Sequence, residues 1–202
     1  QFPCQFGIAT TTGDAAGEIT EQPQIPKLTE GALEETFQHF LGESTQIPPM
    51  VSALHHKGRR LYELAREGIE VERPPRKIFI KSLKLDAFNH ESFTATALVS
   101  KGTYIRVLAE DIARSLGALG HLRALRRLTI EPFEQPKMIT PEILLPLEGD
   151  FEALDKHLLP VDAALCDLPA LTLTKEGAER VKMGQKVPQE EPLEAPLYRL
   201  YD

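Results

Sequence analysis

The sequence predicts an α+β protein: a mixed, largely antiparallel sheet flanked by helices. Two neighbouring runs alternate in the manner of half-buried strands, residues 78–85 and 92–100. Two other stretches carry apolar residues at helical spacing, Leu33, Phe37, Phe40 and Leu41 in one, and Ile105, Leu108, Ala109, Ile112 and Leu116 in the other. A chain of 202 residues is long enough for a large domain with a smaller one attached.

The first strand is Phe2-Pro3-Cys4-Gln5-Phe6-Gly7-Ile8, followed by a turn and short return through Thr10-Thr11-Thr12-Gly13-Asp14-Ala15-Ala16-Gly17, where Gly and Asp punctuate the chain. Thr29 is placed to cap the first helix, with Gly42 just past its end. Gln46-Ile47-Pro48-Pro49-Met50-Val51-Ser52-Ala53-Leu54 is extended, because each proline bars its predecessor from the helical region. A loop of basic residues, His55-His56-Lys57-Gly58-Arg59-Arg60, leads into a short amphipathic helix stopped by Gly68. The two alternating strands come next, then the Ile105–Leu116 helix ended by Gly117.

Beyond Pro132 the texture changes. Thr140-Pro141-Glu142 starts a short helix, and Leu145-Pro146 and Leu159-Pro160 read as ordered loops. From Leu168 a small β-rich module opens: a strand at Leu171–Thr174, a helix near Lys175–Met183 and a strand at Tyr198–Tyr201. The predicted division is a domain over 1–146, a connector over 147–167 and the start of a module over 168–202.

Cys4 and Cys166 lack metal-ligand spacing and form no disulfide framework, so both read as small buried hydrophobes in a reduced, cytoplasmic protein. The adjacent histidines also lack ligand spacing. No apolar run is long enough to span a bilayer, and no signal peptide is apparent. The net charge of −7 argues by itself against a polyanionic partner, but its distribution reverses that inference. Residues 55–146 hold 16 Lys and Arg against 11 Asp and Glu, between flanks of 1 against 7 and 6 against 12. Local field, not the sum, governs polyanion binding.

The densest chemistry lies in Lys101-Gly102-Thr103-Tyr104-Ile105-Arg106 and Gly120-His121-Leu122-Arg123-Ala124-Leu125-Arg126-Arg127-Leu128. A strand ends in a glycine turn that presents an aromatic ring and a guanidinium at a helix start. The second segment adds an apolar wall and arginines suited to phosphates. Together they read as a site for a nucleobase. The simpler reading is packing for Tyr104 and Leu125.

These segments carry a resemblance. Gly7-Ile8 with Thr10-x-Thr12-x-Asp14-x-x-Gly17, Gln46-Ile47-Pro48-Pro49-Met50 with Ser52-Ala53-Leu54, Gly58-x-x-Leu61-Tyr62-Glu63-x-Ala65-Arg66-x-Gly68, Ser100–Arg106 with Glu110-Asp111, and His121-x-x-x-Leu125-Arg126-Arg127-Leu128 stand in register. In them the chain resembles the bacterial TruB-type tRNA pseudouridine synthases, closely to about Leu128 and more weakly beyond. The resemblance implies the pseudouridine synthase fold, incomplete at its N-terminus, an RNA-clasping insertion at about 46–76 and a partial PUA-like RNA-binding module from 168. It implies isomerisation of uridine 55 in the tRNA T-loop by base flipping, glycosidic cleavage and reattachment through C5.

By the same resemblance Tyr104, Arg106 and Leu125 line the uridine pocket, while Lys57, Arg59, Arg60, Lys101, His121, Arg126 and Arg127 contact RNA. The partner is the T-arm stem-loop of tRNA. The enzyme is a cytoplasmic monomer with no membrane partner, and needs neither metal nor cofactor. The family's Gly-x-Leu-Asp-Pro motif, which bears the catalytic Asp, does not occur among these residues. The chain therefore reads as an enzyme fragment inactive alone, in which Asp14 does not replace the nucleophile and Arg106 lacks a carboxylate partner. Val51 and His55 stand where the family usually has Tyr and Lys. The alternative function is a T-arm binding or RNA-remodelling module without chemistry.

Overall fold

A computed structural model describes residues 1–133, 138–188, 192 and 194–202. The described residues form two compact units, Gln1–Leu128 and Thr129–Asp202. In chain order the first contains β1 (Phe2–Phe6), β2 (Ala9–Thr10), β3 (Ile19–Glu21), α1 (Glu30–Phe40), β4 (Gly42–Gln46), β5 (His55–His56), β6 (Arg59–Arg60), α2 (Leu61–Arg66), β7 (Arg76–Asn89), β8 (Ser92–Val99), α3 (Ile105–Ser115) and β9 (Gly120–Leu122).

Five of these strands make one sheet in the order β4-β7-β8-β1-β9, antiparallel at every junction. β1 lies between β8 and β9, and its alternation buries one face: Phe2, Cys4 and Phe6 point into the core, and the intervening residues point away. On β7 the buried set changes phase from Ile78 and Ile80 to Leu83 across a register shift between Ile80 and Ser82. An extra residue there returns apolar side chains to the core face.

Thr29 caps α1 by accepting the Ala32 N–H at 3.3 Å, and Leu33 and Phe37 are its buried stripe. On α3 the stripe is Leu108, Ala109, Ile112 and Ala113. Both helices pack into one cluster with β1, β7 and β8. Phe93 lies at its centre, with the rings of Phe2, Phe6 and Phe37 at 6.0, 5.4 and 5.7 Å. Truncating such a ring to Ala removes about 3–5 kcal/mol. Gly120 allows β9 to approach α3, since a Cβ there would sit 2.8 Å from that of Ala113 and 3.0 Å from the Gln5 carbonyl.

Two expectations are corrected here. Residues 55–60 are an ordered hairpin, with His55 opposite Arg60 and His56 opposite Arg59, turning through Lys57 and Gly58 at φ 48° and 84°. Left-handed values at both positions match the twist of a two-residue hairpin turn. Cys4 is buried as expected, and burial, then the nearby Glu110, push its thiol up to about 12, but Cys166 is exposed.

The second unit contains α4 (Pro141–Leu144), α5 (Phe151–Asp155), β10 (Ala170–Thr172), α6 (Lys175–Lys182) and β11 (Arg199–Tyr201). β10 and β11 pair in parallel. Asp162 accepts from Arg199 Nη1 at 3.0 Å and from the Tyr201 hydroxyl, tying the loop to β11.

Candidate active site

The site is assembled on α3. Gly102, at φ 85°, turns the chain out of β8, and Tyr104 becomes the N-cap of α3 without a capping bond from its own side chain. Its backbone is held instead by Gln46, the last residue of β4. Tyr104 N–H donates to Gln46 Oε1 at 2.8 Å, and Gln46 Nε2 donates back to the Tyr104 carbonyl at 3.1 Å.

Arg106, half a turn on, lies between two loops. Its Nη1 donates to the Thr12 carbonyl at 3.0 Å and to Asp14 Oδ2 at 3.1 Å, and its Nη2 donates to the Val51 carbonyl at 2.6 Å. The expectation that Arg106 lacks a carboxylate within this chain is thereby corrected: Asp14 is its partner. The turn that delivers Asp14 is tightly determined. Asp14 Oδ1 accepts from the Thr12 hydroxyl at 2.6 Å and from the Ala16 N–H at 3.1 Å, leaving Oδ2 for the guanidinium. The Thr10 hydroxyl donates to the Asp14 carbonyl at 2.8 Å. Leu122 of β9 then anchors the turn, donating to the Gly13 carbonyl at 3.0 Å and accepting from the Ala15 N–H at 2.9 Å. Gly13 has φ +73°, and a Cβ there would overlap the Glu110 carboxylate. The positive φ favours glycine there, and any larger residue would also have to displace the Glu110 carboxylate.

A cavity of about 610 Å³ opens beside Arg106, lined among others by Thr12, Gln46, Met50, Arg73 and Glu110. Burial pushes Glu110 above the usual carboxylate range, with Arg114 opposing and Asp111 adding to the rise. Burial likewise raises Asp111 against the pull of its partner Arg114, whose Nη1 is 2.8 Å from Asp111 Oδ1.

The segment over 46–76 is folded onto itself. Leu61 and Leu64 are buried, Arg60 Nη1 donates to the Ala53 carbonyl at 2.5 Å, and Arg73 bridges the Pro48 carbonyl and Glu70 at 3.3 and 3.0 Å. Arg59 is paired with Glu67 at 2.5 Å, which raises the guanidinium and lowers the carboxylate. Lys57 is exposed at the hairpin tip and Lys101 in the turn before α3.

Tyr104 and Arg106 are brought together on one helix start. Leu125 lies in the irregular segment after β9 and is 56% exposed, with no place in the buried core. Arg126 and Arg127 are exposed beside it, and the Arg126 N–H donates to the Gln1 carbonyl at 2.8 Å. His121 differs from the other proposed RNA contacts: it is 7% exposed, pairs with Gln5 in the sheet, and sets Nδ1 3.1 Å from the Ile8 carbonyl. Those contacts hold it within the sheet. Gln46, Asp14 and the Val51 carbonyl complete the site through contacts that the sequence does not indicate. Their motifs marked the segments, but only a fold brings them to α3.

Comparison with known proteins gives this geometry a context. Residues 1–105 match the family described as TruB family pseudouridylate synthase (N terminal domain), and residues 106–166 match tRNA pseudouridylate synthase B C-terminal domain. The chain is 48% identical over 183 residues to the tRNA pseudouridine synthase B of Psychrobacter cryohalolentis, covering 90% of this chain and 50% of that protein. It is 44% identical over 188 residues to that of Nitrosococcus oceani, covering 93% and 61%. The chain thus spans about half to three fifths of the length of these relatives. A Cbf5-Nop10-Gar1 complex contains a chain of similar fold, with a TM-score of 0.62 at 21% identity over 90% of this chain and 48% of that one. An H/ACA RNP bound to a substrate RNA containing 2'-deoxyuridine contains another, at 0.61 and 18%, over 92% and 47%.

Proposed function

We propose that this chain, which belongs to the TruB family of pseudouridylate synthases, serves a tRNA pseudouridine synthase that isomerises uridine 55 of the T-loop. The observation that carries the reading is the three-way anchoring of Arg106 by Thr12, Asp14 and Val51, two residues from Tyr104. A uridine stacked in an RNA loop is out of reach, so the nucleotide must be flipped into a pocket at a cost of a few kcal/mol. An aromatic platform recovers roughly 1–3 kcal/mol of that. Tyr104 provides the ring, and its phenol is suited to moving a proton at the sugar or base.

Arg106 holds a carboxylate ionised and oriented by its planar fork. In this reading the carboxylate it serves is the catalytic Asp of the family motif, while Asp14 neutralises the guanidinium within this chain. Leu125, exposed before substrate arrives, forms the apolar wall against the base. Lys57, Lys101, Arg126 and Arg127 supply phosphate contacts, and Arg59 and Arg60 chiefly shape the insertion that carries Lys57. A cytoplasmic monomer acting without metal or organic cofactor completes this reading.

The test uses the full-length protein and a tRNA transcript, with carbodiimide mapping of pseudouridine. Conversion at position 55 is expected. Arg106→Lys, which keeps the charge and loses the fork, should slow the single-turnover step while leaving tRNA affinity within about threefold. No conversion, or conversion at another position, overturns the reading. A second reading applies to the 202 residues assayed by themselves: with no Gly-x-Leu-Asp-Pro segment among them and Asp14 engaged by Arg106, they bind a T-arm stem-loop without isomerising it.

A further inference from the structure

We infer that Gln46 is the positioning residue for Tyr104, so that the foot of the insertion sets the geometry of the uridine pocket. The inference rests on the reading of Tyr104 as the pocket ring. Gln46 is one of few buried polar side chains in the described chain, at 5% exposure. Both ends of its carboxamide are spent on a single residue 58 positions away, accepting the Tyr104 N–H at 2.8 Å and donating to the Tyr104 carbonyl at 3.1 Å. A carboxamide is matched to this task because it presents one acceptor and one donor side by side, as a peptide group does in a strand pair. Asn carries the same carboxamide but is shorter by a methylene, and a carboxyl group matches the pattern only when protonated.

The position gains little from this arrangement in terms of packing alone. Gln46 ends β4, where its backbone is already in register with Arg76, and Tyr104 already accepts the Leu108 N–H as the first bond of α3. What the two extra bonds determine is the backbone of Tyr104, at φ −93° and ψ 107°, where no side chain of its own caps the helix. The direction of the Cα–Cβ bond, from which the ring extends, follows from the orientation of that backbone. Immediately after Gln46 come Ile47, Pro48 and Pro49, the rising limb of the insertion, and Val51 in the same limb accepts from Arg106. Both pocket residues on α3 are thus held by one short segment, and Gln46 holds the one that bears the ring. Displacing a reacting group by about 1 Å costs on the order of 10²-fold in rate.

The experiment measures single-turnover conversion of a tRNA transcript by the full-length protein at saturating enzyme, with tRNA affinity and thermal midpoint in parallel. Gln46→Met keeps length and removes both bonds; it is expected to slow the chemical step about tenfold to 10²-fold, with Kd changed by less than threefold. Placed on a Tyr104→Phe background, the same substitution should cost much less, because its effect runs through the phenol. Gln46→Glu gives an independent signature. An ionised carboxylate sets a second acceptor against the Tyr104 carbonyl, whereas the protonated form regains the donor; its rate relative to wild type should therefore rise as pH falls from 8 to 5.5. Full additivity with Tyr104→Phe, or a pH-independent ratio for Gln46→Glu, overturns the inference. A wild-type protein that converts no uridine overturns the functional reading instead, and wild-type turnover with an unimpaired Gln46→Met overturns only the role of Gln46.

Discussion

Asp14 Oδ2 and Arg106 Nη1 lie 3.1 Å apart across 92 residues of sequence, forming a partly buried ion pair at 27% and 19% side-chain exposure. Each group is held before they meet, Asp14 by its turn and Arg106 by two backbone carbonyls, so little side-chain freedom is lost in pairing. Asp14→Asn preserves shape and an acceptor but leaves the guanidinium uncompensated. It should cost about 1.5–3 kcal/mol of stability, the scale of a hydrogen bond to a charged group, read as a lowered thermal midpoint. In the full-length protein, single-turnover conversion of uridine should fall at least about tenfold. Wild-type values for both would show that the pair is incidental.

Tyr104→Phe separates stacking from proton transfer. The face remains, so tRNA affinity should stay within about 1 kcal/mol of wild type. Turnover should fall roughly 10²-fold or more if the phenol moves a proton, the range for a positioned acid or base. Reaction at the wild-type rate would reduce the ring to a platform.

The basic hairpin is predicted to contribute unequally. Lys57 is exposed at the tip, whereas Arg59 is paired with Glu67 and Arg60 with the Ala53 carbonyl. Lys57→Ala should lower the slope of log affinity against log salt by close to one unit. Arg60→Ala should chiefly loosen the insertion, read as faster amide exchange over residues 53–64. Slopes that fall equally for both would place Arg60 on the phosphates.

Glu110 gives a pH-dependent prediction. Its folded-state value lies above the ordinary one because of burial, so the native state binds the proton more tightly than the unfolded chain. The stabilisation this provides is present at pH below the ordinary carboxylate value and is lost as pH rises through the window up to the raised value. Glu110→Gln removes the ionisation, so its thermal midpoint relative to wild type should improve from pH 4 to pH 7. A difference that stays flat across that range would contradict the assignment.

Local structure was written in the sequence wherever a period or a cap spoke for it. Thr29 with its Leu33 and Phe37 stripe, the Ile105–Leu116 pattern, and the alternating pair at 78–85 and 92–100 all formed the elements they predicted, because such signals depend on neighbours within one turn or one pleat. The placement of Tyr104 and Arg106 at a helix start after a glycine turn was legible too.

Contacts across the fold were not legible. Nothing near Asp14 indicates Arg106, and nothing near Gln46 indicates Tyr104; each pairing exists because β9 anchors the turn at Asp14 and because β4 ends beside the start of α3. His121, an RNA contact by the resemblance, is buried in the sheet where it pairs with Gln5. Hydrophobic period decides which face of an element is buried, but the identity of the polar group waiting on that face is set by long-range packing, and only the tertiary structure determines it.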